Sequence, residues 1–299
     1  MGIMQRVLVV GAAGLLGQYL TKAGKEMGHN MSGTYNSVVP TDTNEMLQLD
    51  ITDRGQVAEA IERSRPELLV LSAAMTNVDQ CEREPAKAYA VNMEGAFNVA
   101  AECKAADVKM VYISTDFVFN GLKGGRYYEF ENPDPLGIYA QSKLEGERVT
   151  MDASRSNVVC RVSVVDGWNS EGGKKNFVTW VIDSLQKGQG VRLYSDQYVS
   201  PTYAPEAAKV IMELAVKGAH GTYHTSGPDC LSRFEIGVRV AETFSLDRGL
   251  ISPVTTSEMP LMAARPPRSC LSVDQAEAEL GRPMINMSQG LTMMRSDKP

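Results

Sequence analysis

Tyr139 and Lys143 stand four residues apart in the stretch "PLGIYAQSKLEGE", just after Pro135 and Gly137. Residues at i and i+4 share one helical face, so a helix here sets an ammonium beside a phenol and favours the phenolate. A tyrosine so placed can give or take a proton. The same spacing also arises on solvated helix faces where the two side chains merely pack. The pair therefore gains meaning only from what the rest of the chain brings to it.

Gly11, Gly14 and Gly17, in "VVGAAGLLGQ", follow an apolar run from Val7 to Val10 and open a helical pattern. Glycines at this spacing allow a tight turn and a close approach of backbone to a pyrophosphate. The helix N-terminus then meets the anion with free N–H groups and its dipole. This predicts a dinucleotide site. At the end of the second strand stand Thr34, Tyr35, Asn36 and Ser37, with no carboxylate to repel a 2'-phosphate. NADP(H) is the preferred cofactor and NAD(H) the second choice, with Asn36 among its contacts. Asp50 and Ile51, in "LQLDITD", are placed to meet the adenine, the alternative being a strand end and helix cap.

Strand and helix patterns alternate along the first half: "ELLVLSAA" reads as strand, "PAKAYAVNMEGAFNVAAECKAA" as one helix, "KMVYISTD" as strand, and "NVVCRVSVV" as strand. Such alternation predicts an α/β fold with a Rossmann-type doubly wound parallel sheet. After about residue 166 the rhythm breaks, with loops such as "WNSEGGKK". The expected division is an NAD(P)-binding domain over 1–165 and, over 166–299, a smaller, partly interleaved substrate lobe with some segments returning to the sheet. Parallel sheets bind ligands at the C-terminal ends of their strands. Ser114, Thr115 and Asp116 fall at such an end. Thr115 is then expected to hydrogen-bond a substrate carbonyl, Tyr139 to protonate it as hydride arrives, and Lys143 to lower the Tyr pKa and hold the nicotinamide ribose.

Bulk properties narrow the partners. A net charge of -6 gives no basic face for nucleic acid. The absence of a long apolar run or signal-like start points to a cytoplasmic protein without a membrane partner. The five cysteines are scattered and never spaced as C-x-x-C, which predicts reduced thiols, no disulfide framework and no zinc site. His220 and His224 lie in a strand-like "GTYHTSG" and are not read as metal ligands.

Taken together, these residues resemble the extended short-chain dehydrogenase/reductases, and within them the dTDP-4-dehydrorhamnose reductase group. The broad motifs are the glycine turn and Y-x-x-x-K. The narrower ones are "STDFVF" and "DQYVSPTY", and the resemblance also runs through "KKNFV" and "RPPRSCLS". The resemblance implies Thr115, Tyr139 and Lys143 as a catalytic triad and cofactor contacts from Gly11, Leu15, Leu16, Asp50, Ile51, Ala73 and Ala74. It further implies Asn92 as a supporting residue, and Thr76, Asn176, Gln197, Thr202 and Arg265 on the side of a nucleotide-sugar substrate. A homodimer is compatible with it, and no metal is assigned.

The chain departs from the group's usual "RTSWLYG" with "RVSVVDG". Val164 thus replaces an aromatic platform, and Asp166 places a carboxylate that would repel a diphosphate if it faced the pocket. Met75 likewise stands where a Tyr is common. The function implied is NADPH-dependent reduction of a nucleotide-linked 4-keto-6-deoxy sugar. The alternatives are an NADP-binding regulator like that of methionine adenosyltransferase, which resembles the same group, or another extended-family keto-sugar reductase or epimerase. A dehydratase fits less well, because Asp116 and Phe117 follow Thr115 where an Asp-Glu pair is common.

Overall fold

Short runs rich in Val, Leu and Ile have no face that can be left in water, and the chain buries them as strands of a parallel sheet. In the computed structural model, which describes residues 4–37, 46–170 and 173–298, the first elements are β1 (Arg6–Val10), α1 (Leu15–Glu26), β2 (Asn30–Tyr35), β3 (Met46–Gln48), α2 (Arg54–Ser64) and β4 (Leu68–Leu71). Next come α3 (Val78–Arg83), α4 (Pro85–Tyr89), a π-helical turn (Ala90–Glu94), α5 (Gly95–Ala105), β5 (Lys109–Thr115), a 3-10 turn (Asp116–Val118), α6 (Ile138–Ala153) and β6 (Val158–Val162). The later half holds β7 (Val165–Asp166), α7 (Phe177–Gln186), β8 (Val191–Tyr194), β9 (Tyr198–Val199), β10 (Thr202–Tyr203), α8 (Ala204–Val216) and β11 (Gly221–His224). It ends with β12 (Leu231–Ser232), α9 (Arg233–Phe244), β13 (Ile251–Val254), α10 (Asp274–Leu280) and α11 (Met287–Ser296). Glu171 and Gly172, within "WNSEGGKK", lie outside the described residues.

Seven strands form one sheet in the order β11-β6-β5-β4-β1-β2-β3, every pair parallel. This is a Rossmann-type α/β fold. The order reverses between β1 and β4, and that switch point opens a crevice beyond the C-terminal strand ends. Alternate side chains feed two cores. Val7 and Val9 point to the side that includes Leu20 of α1 and Ile211 of α8, while Leu8 and Val10 point to the side that includes Val57 of α2 and Val99 of α5. A third core joins α7, α9 and α11 through Ile182, Ile236 and Leu291. Among the described residues no helix is long and apolar enough to cross a membrane.

Three expectations need correction. The helix expected over 85–106 is interrupted by the π-helical turn; that single wide turn faces Asn92 inward, 2% exposed. The strand expected over 157–165 breaks at Val164, whose φ of 35° is a region that β-branched residues rarely enter. Its carbonyl accepts from Thr202 N at 3.1 Å, which ties the break to β10. Finally, Cys230 and Cys270 form a disulfide, with Cα atoms 5.4 Å apart, so the expectation of five reduced thiols fails for these two. The fold brings together segments 40 residues apart, which no local spacing reveals. Cys81, Cys103 and Cys160 are free and buried.

Asp166 pairs in register with Tyr203 on β10 and is 1% exposed, with Oδ2 lacking a hydrogen-bond partner. It does not line the main cleft, so it repels no ligand there. Burial pushes its carboxyl well above the usual carboxylate range. Since the folded-state value exceeds the unfolded one, the carboxyl's contribution to stability is complete below about pH 4 and is lost as pH rises through the folded value. Asp166→Asn should therefore raise the melting temperature more at about pH 8 than at about pH 5, by roughly 2 °C or more. Melting curves at both pH values check this, and an equal change at both would contradict it.

Candidate active site

A cleft of about 650 Å³ opens at the switch point. Its sides come from the turn after β1, the ends of β2, β4 and β5, and the start of α6. Of the residues singled out in the sequence, Gly11, Gly14, Leu15, Leu16, Asn36, Asp50, Ile51, Ala73, Ala74 and Thr76 line one stretch of it. Thr115, Tyr139, Lys143 and Val164 line the rest.

The turn after β1 fits a pyrophosphate. Gly11 has a φ of +88°, and a Cβ there would lie 2.7 Å from Ala73 N, so only glycine allows β1 and the segment after β4 to meet. A Cβ on Gly17 would run into the carbonyl of Gly11. Gly14 caps α1 with no side-chain hydrogen bond, which leaves the first-turn N–H groups and the dipole for an anion. Asn36 and Ser37 line the cleft beside Tyr35 with no carboxylate among them. Asp50 spends Oδ1 on the backbone N–H of Thr52 at 2.9 Å and its hydroxyl at 2.8 Å. The cap of α2 is instead Asp53, which accepts from Gly55 N and Gln56 N.

At the other end, α6 starts at Ile138 with Gly137 as its N-cap. The Ile138 N–H is met by Glu82 Oε1 of α3 at 2.7 Å, a remote carboxylate on a helix N-terminus. The next residue, Tyr139, lies edge-on to Phe117, with ring centroids 6.0 Å apart. Burial pushes its phenol well above its ordinary value, offset in part by a hydrogen bond with Thr115. Thr115 Oγ1 donates to Asp116 Oδ1 at 3.1 Å and accepts from Phe117 N at 3.2 Å. Asp116 is itself held by the hydroxyls of Ser163, at 2.7 Å, and Ser269, and burial raises its carboxyl.

One expectation shifts in detail. The ammonium of Lys143 does not act chiefly on Tyr139. It donates to the carbonyl of Ile113 at 2.6 Å and sits over the ring of Tyr112, 4.0 Å from its centroid. Burial, partly opposed by Glu147, brings it down to about 7. The arrangement is thus a phenol that burial favours in its protonated form, one helical turn from a lysine whose hold on its proton burial weakens. Asn92 braces both sides of it, accepting from Met75 N at 2.8 Å and donating to Ser142 Oγ at 3.1 Å.

Comparisons with known proteins extend over nearly the whole chain. Residues 4–297 match the RmlD substrate binding domain. The chain belongs to this family. It is 35% identical to a probable low-salt glycan biosynthesis reductase of Haloferax volcanii, over 91% of each chain, and 30% identical to a dTDP-4-dehydrorhamnose reductase of Aggregatibacter actinomycetemcomitans, over 98% of this chain and 99% of that one. The solved dTDP-4-dehydrorhamnose reductase of Bacillus anthracis, in complex with NADP, superposes with a TM-score of 0.89 at 31% identity, covering 99% of this chain and all of that one. Similarity extends to the bovine methionine adenosyltransferase 2 subunit beta, at 29% identity over 89% of this chain and 79% of that one.

Within this RmlD-family chain, Thr76 lines the main cleft, whereas the other residues expected on the substrate side do not join it. Asn176 is the N-cap of α7 in a capping box, and its amide donates to Gly167 O at 2.7 Å. Thr202 is buried and donates to Ser200 O at 3.0 Å. Arg265 is paired with Asp79 at 2.7 Å, across from α3. Gln197 is 6% exposed, and its Nε2 has no partner. Sequence reasoning passed over Arg233, whose N–H donates to Gln197 O at 3.2 Å. Its guanidinium lies over Phe177, 4.9 Å from the ring centroid, and acts on Asp116 by charge. Among the described residues no carboxylate is within ion-pair distance of it. The sequence offered no signal beyond an Arg at a helix start, where a cation is usually unfavourable.

Proposed function

We propose that the chain is an NADPH-dependent reductase of a nucleotide-linked 4-keto-6-deoxy sugar, most simply the C4 ketone of a dTDP-linked 6-deoxyhexulose. The observation that carries this reading is the meeting of an uncapped glycine turn, a protonated phenol and a buried lysine on one cleft. The bound dinucleotide supplies hydride. Tyr139, kept as the phenol by burial, gives its proton to the carbonyl oxygen as negative charge develops there. Thr115, whose own proton is directed to Asp116, keeps the phenol aimed. Lys143, with its value near 7, returns a proton to the site and holds the ribose.

Residues 1–165, together with the returning β11 and α8, make the dinucleotide half in this reading. The remainder of 166–299 supplies most of the sugar-nucleotide side, where Arg233 and the unpartnered amide of Gln197 suit a diphosphate. The cofactor is NADP(H) by preference. The protein is placed in the cytoplasm without nucleic-acid partners. The Cys230–Cys270 bridge stands against that location, since disulfides are uncommon in reducing compartments. A second reading, a cofactor-binding regulator, is favoured by the similarity to methionine adenosyltransferase 2 subunit beta. Stoichiometric consumption of NADPH separates the two.

With the dTDP-linked keto sugar, wild type should oxidise NADPH, while Tyr139→Phe keeps cofactor affinity and loses turnover by roughly a hundredfold or more. Near-normal turnover in Tyr139→Phe would sink the assignment, and NADPH binding without oxidation by wild type would favour the regulator. Arg233→Met should raise KM for the sugar nucleotide about tenfold with kcat little changed. An unchanged KM removes Arg233 from the substrate side.

A further inference from the structure

Behind the lysine of the cleft lies a buried group of charges that the reaction itself does not touch. Glu147 is on α6, four residues after Lys143 and so on the same face. Its carboxylate is 5% exposed as a residue. Arg161 of β6 clamps it with both arms, Nε to Oε1 at 2.9 Å and Nη2 to Oε2 at 2.7 Å. Ser114 of β5 donates to Oε1 at 2.5 Å. The guanidinium is equally sealed, its side chain 5% exposed, and continues to His224 Nε2 at 3.5 Å. A bidentate pair with this geometry fixes direction as well as distance.

We infer that Glu147 is a positioning residue for the reductase proposed above: clamped by Arg161 and Ser114, it pins the face of α6 that carries Lys143 and provides the buried counter-charge for that ammonium. The clamp joins α6 to the ends of β5 and β6. Ser114 is the residue before Thr115, and Ile113, the residue before that, accepts the lysine's proton bond. One carboxylate thus sets the register of all three groups at this end of the cleft. It also gives the lysine a reason to keep its charge in a place where burial alone removes it.

The other titratable groups toward Lys143 do not share this duty. Tyr112 on β5, Tyr139 and, on α3, Cys81 are held neutral by burial, and the carboxyl of Asp116, in the 3-10 turn, is raised. On α5, burial likewise keeps the Cys103 thiol neutral. Farther out on the packed elements, Glu82 of α3 accepts from Ile138 N, Tyr89 of α4 donates to Gln141, Glu102 of α5 is bound by Arg54, and Glu94 in the π-helical turn is exposed. Glu147 is the group that raises the lysine.

The test is the alkaline limb of kcat against pH, together with the titration midpoint of Lys143 read from its side-chain NMR signal in isotope-labelled, substrate-free protein. Glu147→Gln keeps the acceptor for Arg161 and Ser114 but removes the charge. Both the limb and the midpoint should move down by about one pH unit, giving roughly tenfold lower kcat at about pH 8.5 and near wild-type kcat at about pH 5.5. Glu147→Asp should restore the limb. Because Glu147→Gln leaves Arg161 unbalanced, the double variant Glu147→Leu with Arg161→Met repeats the test without either charge, and the same acid shift is expected. A midpoint unchanged in both variants, or in Glu147→Gln a kcat lowered equally at every pH, overturns the inference. The NMR midpoint is read without substrate, so a wild-type protein that oxidises no NADPH would defeat the reductase reading and leave this one decided on its own.

Discussion

An ammonium taken out of water loses its hydration, and Lys143, 2% exposed, recovers part of that loss from three directions. A strand carbonyl accepts its proton at 2.6 Å, the face of Tyr112 lies beneath it, and a carboxylate one helical turn away answers its charge. Each of these demands that α6 lie close on β5. The approach is so tight at Gly146 that a Cβ there would meet the Tyr112 hydroxyl and, at 2.5 Å, the Asn92 carbonyl. A lysine buried at this place is therefore inseparable from a glycine, a tyrosine and an asparagine packed around it.

The same closeness explains the interruption in the helix between β4 and β5. A regular helix through 85–106 would carry Asn92 past the site, whereas the π-helical turn holds its amide between Met75 and Ser142. That amide ties the strand end beside the glycine turn to the helix of Tyr139 and Lys143. The glycine-turn side of the cleft and the side that carries Tyr139 and Lys143 are joined through it. The opposite wall includes the left-handed Val164, and beside it in the chain Ser163, with Ser269 from the later lobe, holds the carboxyl of Asp116.

The parallel sheet, the glycine turn and the Tyr–Lys pair were legible in the sequence because each rests on a short-range rule: alternation of strand and helix, a turn that admits no Cβ, and the period of a helix. What stayed hidden depends on distant segments. The Cys230–Cys270 bridge joins residues 40 apart. The break at Val164 contradicts the preference of a β-branched residue and is held by β10 from across a loop. Arg233 gains its interest only from Phe177 and Asp116, neither near it in sequence. Asn176, placed on the substrate side by resemblance, is engaged as a helix cap, a role its position before "FVT" already permitted.

The central claim is that hydride passes to a sugar carbonyl in the cleft where Tyr139 holds a proton. The most direct measurement gives the protein NADPH deuterated at the transferring position with a dTDP-linked 4-keto-6-deoxy sugar, and follows the label by NMR. The account predicts a single deuterium at C4 of the reduced sugar and an equal amount of oxidised cofactor. Label left on the dinucleotide, or a sugar product carrying none at that carbon, would contradict it.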